Sequence, residues 1–149
     1  MARNFGILLA AHGNLAHNAL ESLEILMGPQ KGIETIALIP GMGQAELRIL
    51  IEEKLNILSI YKNIIIITDL TGGTPSNVAA EFVLKDPLLY LIGGANLAFL
   101  CELAALDKID RAIIAEILEL GRNSMQDLGE KIRTLSRQEQ HSSALCNDL

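Results

Sequence analysis

Ile64-Ile65-Ile66-Ile67-Thr68-Asp69 sets four consecutive β-branched residues ahead of a hydroxyl and a carboxylate, and it narrows the choice of fold more than any other stretch of the chain. Such side chains are stiff at χ1 and favour extended backbone. A run that is apolar at every position, and so on both alternating faces, belongs to a strand covered from both sides. Residues 5–11 and 88–92 have the same character, and 33–39, which carries Glu34 and Thr35, also reads as a strand: each is too short for a helix and is bounded by turn residues.

Segments with helical spacing lie between these runs. Asn14 can cap a helix that carries Leu15, Leu20, Leu23 and Leu26 and stops at Gly28-Pro29. Pro40-Gly41-Met42-Gly43 reads as a loop before a helix over about 44–60. Thr74 before Pro75 pairs a good N-cap with a favoured first helical residue, which predicts a helix from Pro75 to about Lys85. Beyond the fourth strand, helical stretches occupy 96–106 and 110–120, with Gly121 as the stop. Residues 122–135 fit a short strand, a helix or both in turn, and the tail from Ser136 is polar and expected to be mobile.

Strands alternating with helices imply βαβ units, hence an α/β, doubly wound, mainly parallel four-stranded sheet with helices on both faces. The length of 149 residues suits one domain, and 50% apolar residues supply a core without disulfides or metal. Cys101 lies in an apolar stretch and Cys146 in the tail, so neither a disulfide framework nor a nucleophile is indicated. A net charge of −6 without a dense Lys/Arg block excludes a nucleic-acid groove and an anionic membrane surface as partners. The first apolar run lacks the features of an export signal, and the stretch 88–106 is interrupted by Gly93, Gly94, Asn96 and Glu102, so a cytoplasmic location is expected.

In open parallel sheets, ligands bind beyond the carboxyl ends of the strands, where successive connections leave in opposite directions. His12 and Asp69 each stand at such an end, and with strand order 2-1-3-4 they share one crevice. A carboxylate there fixes the imidazole tautomer and leaves the other ring nitrogen free to attack. Helix N-termini near Asn14 and Pro75 offer N–H groups to phosphoryl oxygens. Gly13, Gly72 and Gly73 allow close backbone approach, and Thr74 adds a hydroxyl. No cation or metal-ligand cluster is near in sequence, so the indicated donor is a simple phosphoryl carrier rather than a nucleoside triphosphate, and no cofactor or metal is called for. His17 reads as a solvated helix residue and His141 as part of the tail. In Gly41-Met42-Gly43 the third glycine of a dinucleotide fingerprint is replaced by Glu46.

Together, Ala11-His12-Gly13, Ile39-Pro40-Gly41, Thr68 through Asn77, Ile92 through Leu97 and Leu120-Gly121-Arg122 resemble the mannose family of IIA components of the bacterial phosphoenolpyruvate-dependent sugar phosphotransferase system (PTS), over about the first 120 residues. The Asp-x-x-Gly-Gly-Thr-Pro loop paired with an early His-Gly is the specific part. The resemblance implies that His12 accepts phosphate through Nε2 from the carrier protein HPr and passes it to a histidine of a IIB partner on a separate chain. Asp69 then matches the orienting carboxylate and Thr74 the hydroxyl near the phosphoryl group. It also implies a IIA phosphocarrier domain over 1–135 with the tail 136–149 outside it. A homodimer exchanging a last, antiparallel strand is implied as well, that strand to be sought within 122–128, and membrane association only through IIC and IID subunits. Thr71 departs from the bulkier residue common in the family. A tetrapyrrole metal chelatase also opens with a strand running into Ala-His-Gly, but it usually has Ser where Asn14 stands. A regulatory phospho-acceptor of the same fold is the other alternative.

Overall fold

The computed structural model describes residues 3–147, with side chains to residue 138; the side chains of His141 and Cys146 lie outside the described residues. Four parallel strands form one sheet in the order β2-β1-β3-β4: β1 (Phe5–His12), β2 (Ile33–Leu38), β3 (Asn63–Thr68) and β4 (Leu89–Gly93). They alternate with α1 (Leu15–Met27), α2 (Gln44–Ile57) and α3 (Thr74–Val83), a 3-10 turn over Leu58–Ile60 coming after α2. After β4 come α4 (Leu97–Ala104), α5 (Arg111–Asn123) and α6 (Leu128–Asn147).

The pleat sends alternate residues to opposite faces, and β1 divides accordingly. Phe5, Ile7, Leu9 and Ala11 meet Ile65 and Ile67 under α1, α4 and α5, where Leu23, Phe99, Leu103 and Ile117 are buried. Leu8 and Ala10 meet Ile64 and Ile66 under α2 and α3, where Leu47, Ile51 and Val78 are buried. Each of the two central strands therefore supplies both cores, which is why no position in either run is polar. Gly6 faces the second core, where a Cβ would stand 3.2 Å from both Leu58 and Tyr61; the missing side chain lets the 3-10 turn close down on the strand.

The element pattern expected from the sequence is present, with differences at the helix ends and in the tail. Gly73, not Thr74, is the N-cap of α3, so Thr74 is already helical and Pro75 comes second. Gly121 does not stop α5, which runs on to Asn123. No strand forms within 122–128 in the single chain: α5 ends, a short link intervenes and Leu128 opens α6. A helix satisfies its own N–H and C=O groups, whereas a lone extended segment leaves them without partners. Helix α6 also runs through the segment read as a polar tail, and its described side chains, from Leu128 to Gln138, are all exposed. Among the described residues no helix is long and apolar enough to cross a membrane.

Candidate active site

The strand order places β1 beside β3 while α1 leaves toward one face of the sheet and α3 toward the other, the arrangement that opens a crevice at the carboxyl end. Register sets the levels: Ala10 pairs with Thr68, so His12 stands just beyond Asp69. The residues alternate in opposite sense, with His12 in step with Leu8 and Ala10, and Asp69 in step with Ile65 and Ile67. The two side chains therefore come from opposite faces and meet over the top of the sheet.

They meet through one oxygen. Asp69 Oδ2 accepts the His12 backbone N–H at 3.0 Å and lies 2.9 Å from His12 Nδ1. Burial pushes the Asp69 carboxyl upward, but the two hydrogen bonds from His12 and the attraction of its ring outweigh burial, and the group ends below the ordinary carboxylate value. It is thus ionised at neutral pH and only accepts, which puts the shared proton on Nδ1 and leaves the lone pair of the neutral ring on Nε2. The His12 side chain is 46% exposed against 12% for Asp69, so the ring is open to solvent and the carboxylate that meets it is sheltered. Asp69 Oδ1 is buried without a hydrogen-bond partner among the described residues. Asp69 also lines a crevice of about 330 Å³ between α1 and α4, walled by Leu15, Ala16, Leu97 and Leu100.

The glycines around the ring have distinct tasks. Gly13 (φ +56°) and Gly72 (φ +79°) take left-handed backbone that a side chain would strain. Gly73 has an ordinary φ, yet a Cβ there would lie 3.1 Å from His12 Cε1 and 3.2 Å from the Leu70 carbonyl oxygen. The amides of Gly13 and Gly73 donate to the Leu38 and Leu70 carbonyls, at 2.9 and 3.2 Å. These glycines therefore provide room, and donors for an oxyanion fall to the first turn of α3, where the N–H groups of Thr74 and Ser76 have no intrahelical acceptor. Of the residues singled out in the sequence, His12, Asp69 and Gly73 come into direct proximity, Gly13, Gly72 and Thr74 are their neighbours along the chain, and His17 is exposed on α1.

Two residues of this end of the sheet escape sequence reasoning. Thr68 and Ser76 are buried hydroxyls whose oxygens lie 2.5 Å apart, and Ser76 Oγ also donates to the Leu70 carbonyl at 2.7 Å. A threonine ending an apolar strand and a serine in a helix's first turn were the available signals, but each is ordinary alone.

Residues 6–120 match the family model EIIA-man, described as the PTS system fructose IIA component. The chain is 27% identical over 128 residues to the mannose-specific EIIAB component of Escherichia coli (strain K12), which covers 84% of this chain but only 40% of that protein. It is 27% identical over 137 residues to the sorbose-specific EIIA component of Lacticaseibacillus casei, covering 89% and 97%. Among solved structures, the PTS IIA protein associated with the fucose utilization operon from Streptococcus pneumoniae superposes with a TM-score of 0.80 at 31% identity, over 89% of this chain and 99% of that one. The matched region contains the sheet but for Phe5, α1 to α4 and most of α5, with His12 and Asp69 inside it, and the chain belongs to the EIIA-man family of IIA components of the sugar phosphotransferase system.

Proposed function

We propose that His12 accepts a phosphoryl group on Nε2 from phospho-HPr and hands it to a histidine of a IIB component, serving sugar uptake and phosphorylation. The observation that carries this reading is the 2.9 Å contact of Nδ1 with an ionised Asp69, which leaves Nε2 as the nucleophilic nitrogen of a half-exposed ring. As the Nε2–P bond forms, the donor's N–P bond breaks and the donor ring keeps the electron pair. The Nδ1 proton stays toward Asp69, whose charge stabilises the cationic ring. That same charge repels the phosphoryl oxygens and keeps the group transferable. Little covalent work falls to the protein, and catalysis is positioning plus N–H donors for the oxygens of a loose transition state. The first turn of α3 and the Thr74 hydroxyl fit that task, while Gly13, Gly72 and Gly73 give the donor room.

The domain on this reading is 1–135, acts in the cytoplasm and meets the membrane only through IIC and IID subunits. The name of the Escherichia coli relative, EIIAB, supports a IIB acceptor. A homodimer is supported by the outer edge of β4, which has no partner strand among the described residues. The match to EIIA-man sets the chelatase reading aside.

The test is incubation with phosphoenolpyruvate, enzyme I and HPr, then intact mass and site mapping. The expected result is one acid-labile phosphate that His12→Ala abolishes; a label persisting on His17, or no label with cognate carriers, overturns the reading.

A further inference from the structure

The residues on either side of Asp69 are tied to a single side chain that has no part in the proposed transfer. Ser76 is in the first turn of α3 and only 8% exposed. The Leu70 carbonyl can only accept, so the one proton of the Ser76 hydroxyl is committed to it at 2.7 Å. Thr68 Oγ1 then donates to Ser76 Oγ at 2.5 Å, a far better acceptor than the Ile92 carbonyl at 3.5 Å. The chain of hydroxyls runs Thr68 to Ser76 to Leu70 and brackets Asp69 from both sides. From the other direction, the amides of Gly94 and Ala95 hold the Thr68 carbonyl at 3.0 and 3.1 Å. Asp69 is thus fixed at its flanks, although the adjoining loop contains Gly72 and Gly73.

We propose that Ser76 is a positioning residue: by bridging Thr68 and Leu70 it holds the Asp69 carboxylate where a single oxygen can take both His12 N–H groups, and so keeps the ring proton on Nδ1. In Ser76→Ala the buried Thr68 hydroxyl keeps only the long contact to Ile92, and Leu70 keeps only the 3.2 Å bond from Gly73. The loop then shifts relative to β1, and the Oδ2···Nδ1 contact loosens. The consequence for transfer rests on His12 being the phosphoryl acceptor; the consequence for the ring tautomer does not.

The test uses the full chain labelled with nitrogen-15, and reads the His12 tautomer from long-range proton–nitrogen spectra in the wild type, Ser76→Ala and Thr68→Val. The wild type is expected to show the Nδ1–H form and Ser76→Ala a mixture with the Nε2–H form. Thr68→Val should shift the same way but less, because the bond from Ser76 to Leu70 survives. In parallel, transfer from phospho-HPr to Ser76→Ala should lose on the order of tenfold in kcat with KM unchanged. A serine that only supports the fold would lower the unfolding midpoint and leave the ring spectrum alone, so a folded Ser76→Ala with the wild-type spectrum and rate overturns the proposal. Should Ser76→Ala fail to fold, Thr68→Val decides, since it keeps the residue's shape, and an unchanged spectrum and rate there is the overturning result. If the wild type takes no phosphate but the spectra keep the expected order, the transfer reading falls and the positioning role stands.

Discussion

At the scale of single residues, the site depends as much on what is missing as on what is present. A methyl group at Gly73 would press on His12 Cε1 at 3.1 Å, and the cheapest relief is rotation of the half-exposed ring away from Asp69. Gly73→Ala should therefore keep the fold, its φ suiting any residue and the Leu70 carbonyl 3.2 Å away needing only a small shift, yet accept phosphate roughly tenfold more slowly in a rapid-quench assay. Asp69→Asn keeps the shape but loses the charge, and should slow phosphorylation by up to roughly a hundredfold with the circular dichroism spectrum unchanged. Its stability has a pH signature. The folded carboxyl lies below its ordinary value, so its contribution is complete above about pH 3.9 and is lost as pH falls through the folded pKa. Urea unfolding should show the wild type more stable than Asp69→Asn at pH 7, with the gap closing in more acidic buffer. His12 and Asp69 were legible because an ionisable group at the end of an apolar strand is costly unless paired or wet. Ser76 was not, because its importance is an oxygen-to-oxygen distance across eight residues of chain, and no local pattern encodes it.

At the scale of elements, the strands were plain from their composition and the helix ends were not. A run such as 64–67 can be extended and doubly covered or very little else, so its place at the centre of the sheet is dictated by its residues. Gly121 shows the opposite case. Glycine is a poor helix former and reads as a stop, but here it sits inside α5 because Phe99 of α4 comes so close that a Cβ would lie 3.0 Å from the Phe99 Cβ. Its carbonyl also takes the Asn96 side-chain amide at 2.9 Å, joining the N-cap of α4 to the end of α5. Gly121→Ala gains helix propensity and loses this close approach; the second effect dominates, and the variant should be less stable by about 1–3 kcal/mol in urea unfolding. A gain in stability would mean that the two helices can separate at little cost. The true end of α5 is set by Ser124, whose amide and hydroxyl both return to the Gly121 carbonyl.

At the scale of the molecule, two cores back one central pair of strands, and the site sits where the helices covering them part. That arrangement is dictated by the alternation of runs and the right-handed crossover rule. The course of the chain beyond α5 is not, because the described side chains of α6 are all exposed and its first turn bonds back only to Gln126 and Asp127 just ahead of it, leaving little for a sequence pattern to anticipate. The homodimer of the proposed function predicts that the full chain sediments with the mass of two chains across the micromolar range; a single-chain mass removes it.

The sharing of one Asp69 oxygen between two groups of His12 also bears on timing. On the proposed transfer, with Nδ1 held, the ring has one doorway, and a group that enters through Nε2 must leave by the same route. Donor and acceptor then stand in a queue rather than side by side, each waiting for the other to depart, and an idle acceptor in excess would hold up loading even though it carries nothing away.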